Sequence, residues 1–107
     1  MRLFVWDRKK ARQNPVRHRG VTFHLAMAAF YDPRHICDLR NRYGEQQWTV
    51  TGIVEGVFIT CACEFLEPSR LRFVDSIEAD EYIRIITAWP SERREADHYA
   101  EENRLWQ

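Results

Sequence analysis

Alternating apolar and polar positions predict a β-hairpin in the middle of the chain. The two alternating runs cover residues 47–54 and 57–65, and only Glu55-Gly56 separates them. A two-residue connector that contains glycine is typical of a tight hairpin, because glycine accepts the positive φ that such turns require. The predicted register pairs Val54 with Val57, Gly52 with Ile59, Val50 with Cys61 and Trp48 with Cys63.

The two faces of this hairpin differ in polarity, because successive side chains of a strand point to opposite sides. The face just described is almost wholly apolar and is predicted to lie in the core under the helices. The opposite face is smaller and more polar, with Gln47, Thr49, Thr51 and Glu64 on it. If the sheet carries a site, this polar face is where we expect it.

A further strand is predicted at residues 82–88, which are rich in β-branched side chains and include a single cation, Arg84. Strict alternation puts Arg84, Ile86 and Ala88 on one face. Pro90 cannot continue a central strand, so the strand is predicted to end before it. An arginine fixed on a rigid sheet is either a solvated surface charge or a group aimed at a phosphate.

Three helices are predicted, and each follows a residue whose side chain can cap it: Asp7, Thr22 and Ser91. The first covers residues 8–13, because Pro15 disfavours helical geometry and must kink or stop the helix. The second carries one apolar stripe, formed by Phe23, Ala26, Met27 and Phe30. The third covers residues 91–104.

The order of these elements predicts a small α+β domain over residues 1–107. Two helices come first, followed by an antiparallel meander of about four strands that starts at residues 34–39, and then by a helix. Residues 67–81 are predicted to form a surface insertion. The chain has no run of about 18 apolar residues and no apolar amino-terminal signal segment. We therefore expect a cytoplasmic protein that does not contact a membrane.

Charge is distributed unevenly along the chain although the formal net charge is zero. Residues 1–42 contain ten Lys and Arg against three Asp and Glu, a formal charge of +7, and the remaining residues carry −7. A basic half of this kind either binds a polyanion or is neutralised by the acidic half in the fold.

A metal site is not favoured by the residue pattern. Cys61 and Cys63, with His35 and Cys37, could in principle bind zinc, but the spacing is wrong for a zinc knuckle. The two cysteines of the hairpin fall on its apolar face, so they are predicted to be core residues. The chain also lacks a glycine-rich phosphate loop. No metal or cofactor is therefore expected.

The polar and charged residues that remain are suited to cleaving RNA without a metal. RNA supplies its own nucleophile, the 2′-hydroxyl, and the protein must supply a base, an acid and cations for the phosphate. The candidate bases and acids are His18, Glu45 and Glu64. The candidate cations are Lys10, Arg17, Arg84, Arg93 and Arg94. Each of these residues, taken alone, is also compatible with a solvated surface charge.

The order and spacing of several short motifs resemble the BrnT toxins. In the amino-terminal half the matching residues are Phe4-x-Trp6-Asp7, Lys10, Asn14, Arg17-His18, Gly20-Val21-x-Phe23, Ala26 and Phe30-x-Asp32-Pro33. In the second half they are Tyr43-Gly44-Glu45, Gly52, Gly56, Arg84 to Ala88, Glu92 to Glu95 and Tyr99. The resemblance covers nearly the whole chain except residues 67–81.

The resemblance implies a RelE-like fold and a bacterial ribonuclease toxin. In such a toxin Arg84 would stabilise the phosphorane, and Glu64 or His18 would be the base. Lys10, Arg17, Arg93 and Arg94, with Glu45, would line the RNA site. The implied partner is a DNA-binding BrnA-like antitoxin, on whose dimer two toxins sit, so DNA is contacted only through the antitoxin.

The sequence also departs from the family pattern at positions that matter for this chemistry. Gln47 and Trp89-Pro90 stand where the family has cations, and Arg19 is inserted before Gly20. The alternative hypothesis is therefore a catalytically weakened or silent module that only pairs with an antitoxin-like partner.

Overall fold

The computed structural model describes residues 2–67 and 81–104. They form, in chain order, β1 (Arg2–Val5), α1 (Arg8–Arg17), α2 (Phe23–Ala29), β2 (Ile36–Arg42), β3 (Glu45–Val54), β4 (Val57–Phe65), β5 (Glu81–Pro90) and α3 (Arg93–Glu102). The predicted insertion at 67–81 falls outside the described residues except for its two ends. None of the helices in the described ranges combines the length and the hydropathy that a bilayer span requires.

One five-stranded sheet contains all these strands, in the order β1-β5-β4-β3-β2. The α+β class is confirmed, and β2 to β5 form the predicted antiparallel meander. The predicted number of strands and the purely antiparallel pairing are wrong, because β1 adds a parallel edge strand beside β5. This strand has only four residues, and its partner lies about 80 residues away in sequence, so no local pattern reveals the pairing.

The hairpin register is as predicted from the Glu55-Gly56 connector. Val54 pairs with Val57, and Trp48 pairs with Cys63 at the other end. Both connector residues have positive φ, 49° and 81°, as the tight hairpin turn requires. A second turn of the same kind, Tyr43-Gly44, joins β2 to β3. It is shorter than predicted, so β2 extends to Arg42 instead of ending at residue 39.

A β-bulge in β5 changes which of its side chains share a face. Cys63 pairs with Ile85 but its neighbour Ala62 pairs with Thr87, so Ile86 is an extra residue in β5. The prediction that Arg84, Ile86 and Ala88 share a face is therefore wrong. Ala88 is fully buried on the core side, and by register Thr87 lies on the side of Arg84.

The core lies between α2 and the apolar face of the sheet. Buried side chains of α2 pack on buried residues of the three central strands, including Val50, Cys61 and Ile85. The contact is close enough to require glycine at position 52, because a Cβ there would lie 2.4 Å from the carbonyl oxygen of Ala29. The predicted stripe of α2 is confirmed at Phe23 and Ala26, which are buried.

Helix α1 lies beside β5 and continues past Pro15, so the prediction that it ends at residue 13 is wrong. Pro15 interrupts the helical hydrogen bonds, but the buried Asn14 fixes the helix to the sheet. Its Nδ2 donates to the carbonyls of Val21 and Ala88, and its Oδ1 accepts from the Ala88 amide. β1 ends opposite Arg84 and does not reach Ala88. Asn14 therefore supplies the hydrogen bonds that an edge strand would make with the backbone of Ala88.

Helix α3 lies against the polar face of the sheet, on the opposite side from α2. Its buried Tyr99 packs edge-on against Phe58 of β4, with ring centroids 5.3 Å apart. The helix begins two residues later than predicted, since Ser91 hydrogen-bonds to Thr60 instead of capping it. Glu95 accepts from the Glu92 amide at the first turn.

Asp32 links the end of α2 to α3 and to the sheet. Its carboxylate accepts hydrogen bonds from Tyr99 Oη at 2.6 Å and from the Ile53 amide at 2.8 Å. Partial burial acts to raise the pKa of Asp32, but these hydrogen bonds and one from the Arg34 amide lower it below its ordinary value of 3.8. The ionised form is thus favoured in the fold.

Asp32→Asn is expected to destabilise the fold in a pH-dependent way. A lowered folded-state pKa contributes stability above the ordinary pKa, and that stability is lost as the pH falls through the folded-state value. The free energy of unfolding should be about 1–2 kcal/mol lower than that of the parent protein at pH 7. This difference should become smaller below pH 3.8. Urea unfolding across this range measures it, with the exposed Asp97→Asn as control. A deficit that does not change with pH would contradict the assignment.

Candidate functional site

A shallow pocket of about 250 Å³ opens on the polar face of the sheet, where α1 begins and β3 starts. It is lined by Asp7, Lys10, Glu45, Gln47, Glu64, Arg84, Ile85 and Ile86. Four residues selected from the sequence therefore lie around one pocket: Lys10, Glu45, Glu64 and Arg84. The prediction that a site would lie on this face agrees with the position of the pocket.

Arg84 and Glu64 form an ion pair in the pocket. They are register partners on β5 and β4, and Arg84 Nη2 lies 2.7 Å from Glu64 Oε1. Their side chains are 51% and 27% exposed, so solvent reaches both. Because both sit on interior strands of the sheet, the backbone places the two side chains directly opposite each other.

The amino terminus of α1 contributes a second cation and a second carboxylate. Asp7 caps the helix by accepting from the Lys10 amide at 2.9 Å. This hydrogen bond is the main cause that lowers the pKa of Asp7, so the residue is ionised at neutral pH. The cap also fixes the first turn of α1, from which the exposed Lys10 side chain extends.

The start of β3 completes the pocket with Glu45 and the half-buried Gln47. Three carboxylates and two cations thus line the pocket, and Gln47 adds no charge. A phosphate group in this pocket would meet two cations, Lys10 and Arg84, with Glu64 paired to Arg84.

The other four residues selected from the sequence do not line this pocket. His18 follows the last residue of α1 and is half-buried beside β5, where its Nε2 lies 3.4 Å from Thr87 Oγ1. Arg17 is exposed at the end of α1. Arg93 and Arg94 are on the first turn of α3, paired with Asp97 at 3.9 Å and with Glu92 at 3.0 Å.

Two arginines of β2 were missed by the sequence reasoning. Arg40 pairs with Gln47, and Arg42 pairs with Glu45, so both share the face of the pocket. The Arg40 guanidinium lies 5.4 Å from the ring centroid of Trp89. Partial burial and the nearby Arg42 lower the pKa of Arg40. Recognising Tyr43-Gly44 as a two-residue turn would have revealed both.

No model of a known protein family matches this chain, and no curated protein matches its sequence. The resemblance to the BrnT toxins therefore depends on the order of short motifs alone. The function has to be argued from the chemistry of the pocket.

The three cysteines take no part in the pocket. Cys61 and Cys63 are fully buried in the core, as predicted from their face of the hairpin. A hydrogen bond from Cys61 and burial raise the pKa of the Cys63 thiol, and burial raises that of Cys37 to about 11. Thiols with raised pKa values are poor nucleophiles and poor metal ligands at neutral pH. Among the described residues, no three His, Cys, Asp or Glu side chains cluster in a way that could bind a metal.

Proposed function

We propose that this protein is the toxin of a type II toxin–antitoxin system, a metal-independent endoribonuclease similar to the BrnT toxins in activity and in its RelE-like fold. The observation that supports this most directly is the Arg84–Glu64 pair, 2.7 Å apart in an open pocket that Lys10 also lines. A base, a guanidinium and a second cation around one phosphate-sized space are what cleavage through the RNA 2′-hydroxyl requires.

In the proposed reaction Glu64 takes the proton of the 2′-hydroxyl, and the 2′-oxygen attacks the adjacent phosphorus. Arg84 and Lys10 stabilise the charge of the phosphorane. The bond to the 5′-oxygen breaks, and that oxygen receives the proton that Glu64 took from the 2′-hydroxyl. The products are a 2′,3′-cyclic phosphate and a 5′-hydroxyl end. Water is not consumed in this step.

The surface of α1 supports binding of a long polyanion. The helix contains Arg8, Lys9, Lys10, Arg12 and Arg17 and no acidic residue. All five cations are exposed, and none of them is ion-paired within residues 2–67 and 81–104. Unpaired cations on one helix favour phosphate backbones or acidic protein segments. We assign them to RNA in the free toxin and to a BrnA-like, DNA-binding antitoxin in the neutralised complex.

Incubating the purified protein with single-stranded RNA in excess EDTA tests the activity. We expect fragments that end in 2′,3′-cyclic phosphate, and we expect growth arrest when the chain is induced in a bacterium without its antitoxin. Intact RNA after incubation with the well-folded protein, together with normal growth, would contradict the ribonuclease proposal.

The composition of the pocket favours a second candidate, the catalytically silent module. Three carboxylates face only two cations there, and one of those cations, Arg84, is already neutralised by Glu64. A module of this kind would bind an acidic antitoxin segment through Lys9, Arg12 and Arg17. The same experiment separates the two candidates, because the silent module leaves RNA intact and bacterial growth normal.

A further inference from the structure

The turn between β2 and β3 holds an aromatic side chain in an unusual setting. Tyr43 is 89% exposed, and its φ of 53° lies in the left-handed region. Bulky residues rarely adopt this conformation, and in a two-residue turn with Gly44 the favoured first residue is asparagine, aspartate or glycine. The turn geometry accounts for the positive φ, as it does at Glu55, but packing does not account for a large ring at this exposed position.

The Tyr43 ring contacts the side chain of the preceding residue, Arg42. The Arg42 guanidinium lies 5.1 Å from the centroid of the Tyr43 ring, and Arg42 Nη2 donates to Tyr43 Oη at 3.4 Å. Since the side chain stays 89% exposed with this arginine on it, most of the ring surface remains open to solvent. The loop thus offers a flat aromatic surface that contacts one arginine and is otherwise open to solvent.

The turn that carries this aromatic surface leads directly into the strand that lines the pocket. Glu45 and Gln47, which line the pocket, follow Tyr43 in the next few residues of β3. Their register partners are Arg42 and Arg40, so the face carries two additional cations beside the Arg84–Glu64 pair. A strand of RNA with one phosphate at Arg84 would extend along this face of the sheet towards the turn.

We propose that Tyr43 is a stacking platform for an unpaired nucleobase on the strand that carries the scissile phosphate, with Arg42 and Arg40 facing the backbone between them. This inference rests on the proposed function and names its substrate class as single-stranded RNA. Aromatic rings stack on any base, so the site recognises an unstacked base and not a particular sequence. A base paired inside a duplex does not offer its flat face to the ring.

Binding of a single-stranded 2′-O-methyl oligonucleotide tests this platform, because that probe lacks the free 2′-hydroxyl and cannot be cleaved. Tyr43→Asn is expected to weaken binding about tenfold to a hundredfold, which is the effect typical of losing one base–aromatic stack. Tyr43→Phe keeps the ring and should bind within about twofold of the parent protein. Fluorescence anisotropy gives both dissociation constants.

A matched control is available at Tyr31, which is 60% exposed and also has an arginine over its ring, at 5.3 Å. Tyr31 does not line the pocket, so Tyr31→Ala should leave binding unchanged. The Tyr43→Asn variant is expected to fold, because asparagine before glycine suits this turn. Thermal unfolding should show Tyr43→Asn to be at least as stable as the parent protein.

The outcomes separate this inference from the proposed function. Equal binding by the parent protein and Tyr43→Asn overturns the platform, and so does an absence of binding by the parent protein. A parent protein that binds the probe through Tyr43 but leaves natural RNA intact overturns the ribonuclease and retains the platform. Ultraviolet crosslinking of a 5-iodouridine probe, followed by peptide mapping, should identify Tyr43 as an attachment site.

Discussion

Arg84→Ala is expected to lower the rate of RNA cleavage about a hundredfold to a thousandfold while leaving the fold intact. Losing one group that stabilises transition-state charge typically costs this much. The fold should tolerate the change, because the Arg84 side chain is 51% exposed and exposed ion pairs contribute little to stability. Arg84→Lys should recover only part of the rate, since lysine retains the charge but not the planar fork of donors.

The Glu64→Gln variant tests how much the other member of the ion pair contributes to the cleavage rate. Removing a general base costs about a hundredfold to ten-thousandfold in rate. If the two residues act as one unit, the double variant should lose little more than the worse single variant. Single-turnover cleavage of a labelled oligonucleotide measures all these rates, and Arg104→Ala, an exposed arginine paired with Glu101, is the control. Parental cleavage by Arg84→Ala would remove Arg84 from the mechanism, and parental cleavage by Glu64→Gln would remove Glu64.

The hairpin was predictable because its determinants are local. A two-residue connector fixes which residues face each other, and alternation then assigns each side chain to a face. The pairing of β1 with β5 and the bulge at Ile86 depend on contacts between distant segments. The bulge matters for the site, because it moves Thr87 to the face that carries Arg84. Strict alternation from the sequence cannot anticipate such a change.

The same distinction explains which site residues the sequence could predict. Arg84 and Glu64 lie on strands whose alternation is clear, and they meet in the structure. His18 lies eight residues after Lys10, which along a helix is about 12 Å. Because α1 continues through Pro15 to Arg17, the helix carries His18 away from the pocket and towards Thr87. If the helix ended at residue 13, the sequence would not determine where His18 lies.

Asn14→Ala is expected to produce the largest loss of stability of any variant considered for this chain. The side chain is 4% exposed, and it makes hydrogen bonds with the backbone of both Val21 and Ala88. Thr87 Oγ1 also donates to its Oδ1 at 3.2 Å. Truncation leaves buried backbone groups without partners, and several such losses together cost about 3–5 kcal/mol.

Chemical denaturation should therefore show a much lower midpoint for Asn14→Ala, whereas Asn41→Ala, on the exposed part of β2, should unfold like the parent protein. A loss below about 1 kcal/mol would show that water replaces these hydrogen bonds.

The effect of Asn14→Ala should extend to the pocket, because Asn14 joins α1 to β5 and Lys10 lies one turn earlier on that helix. Under conditions in which the variant remains folded, RNA cleavage should thus fall further than the folded fraction alone would explain. The amino-terminal helix and the Arg84 strand are in this way coupled through one buried amide.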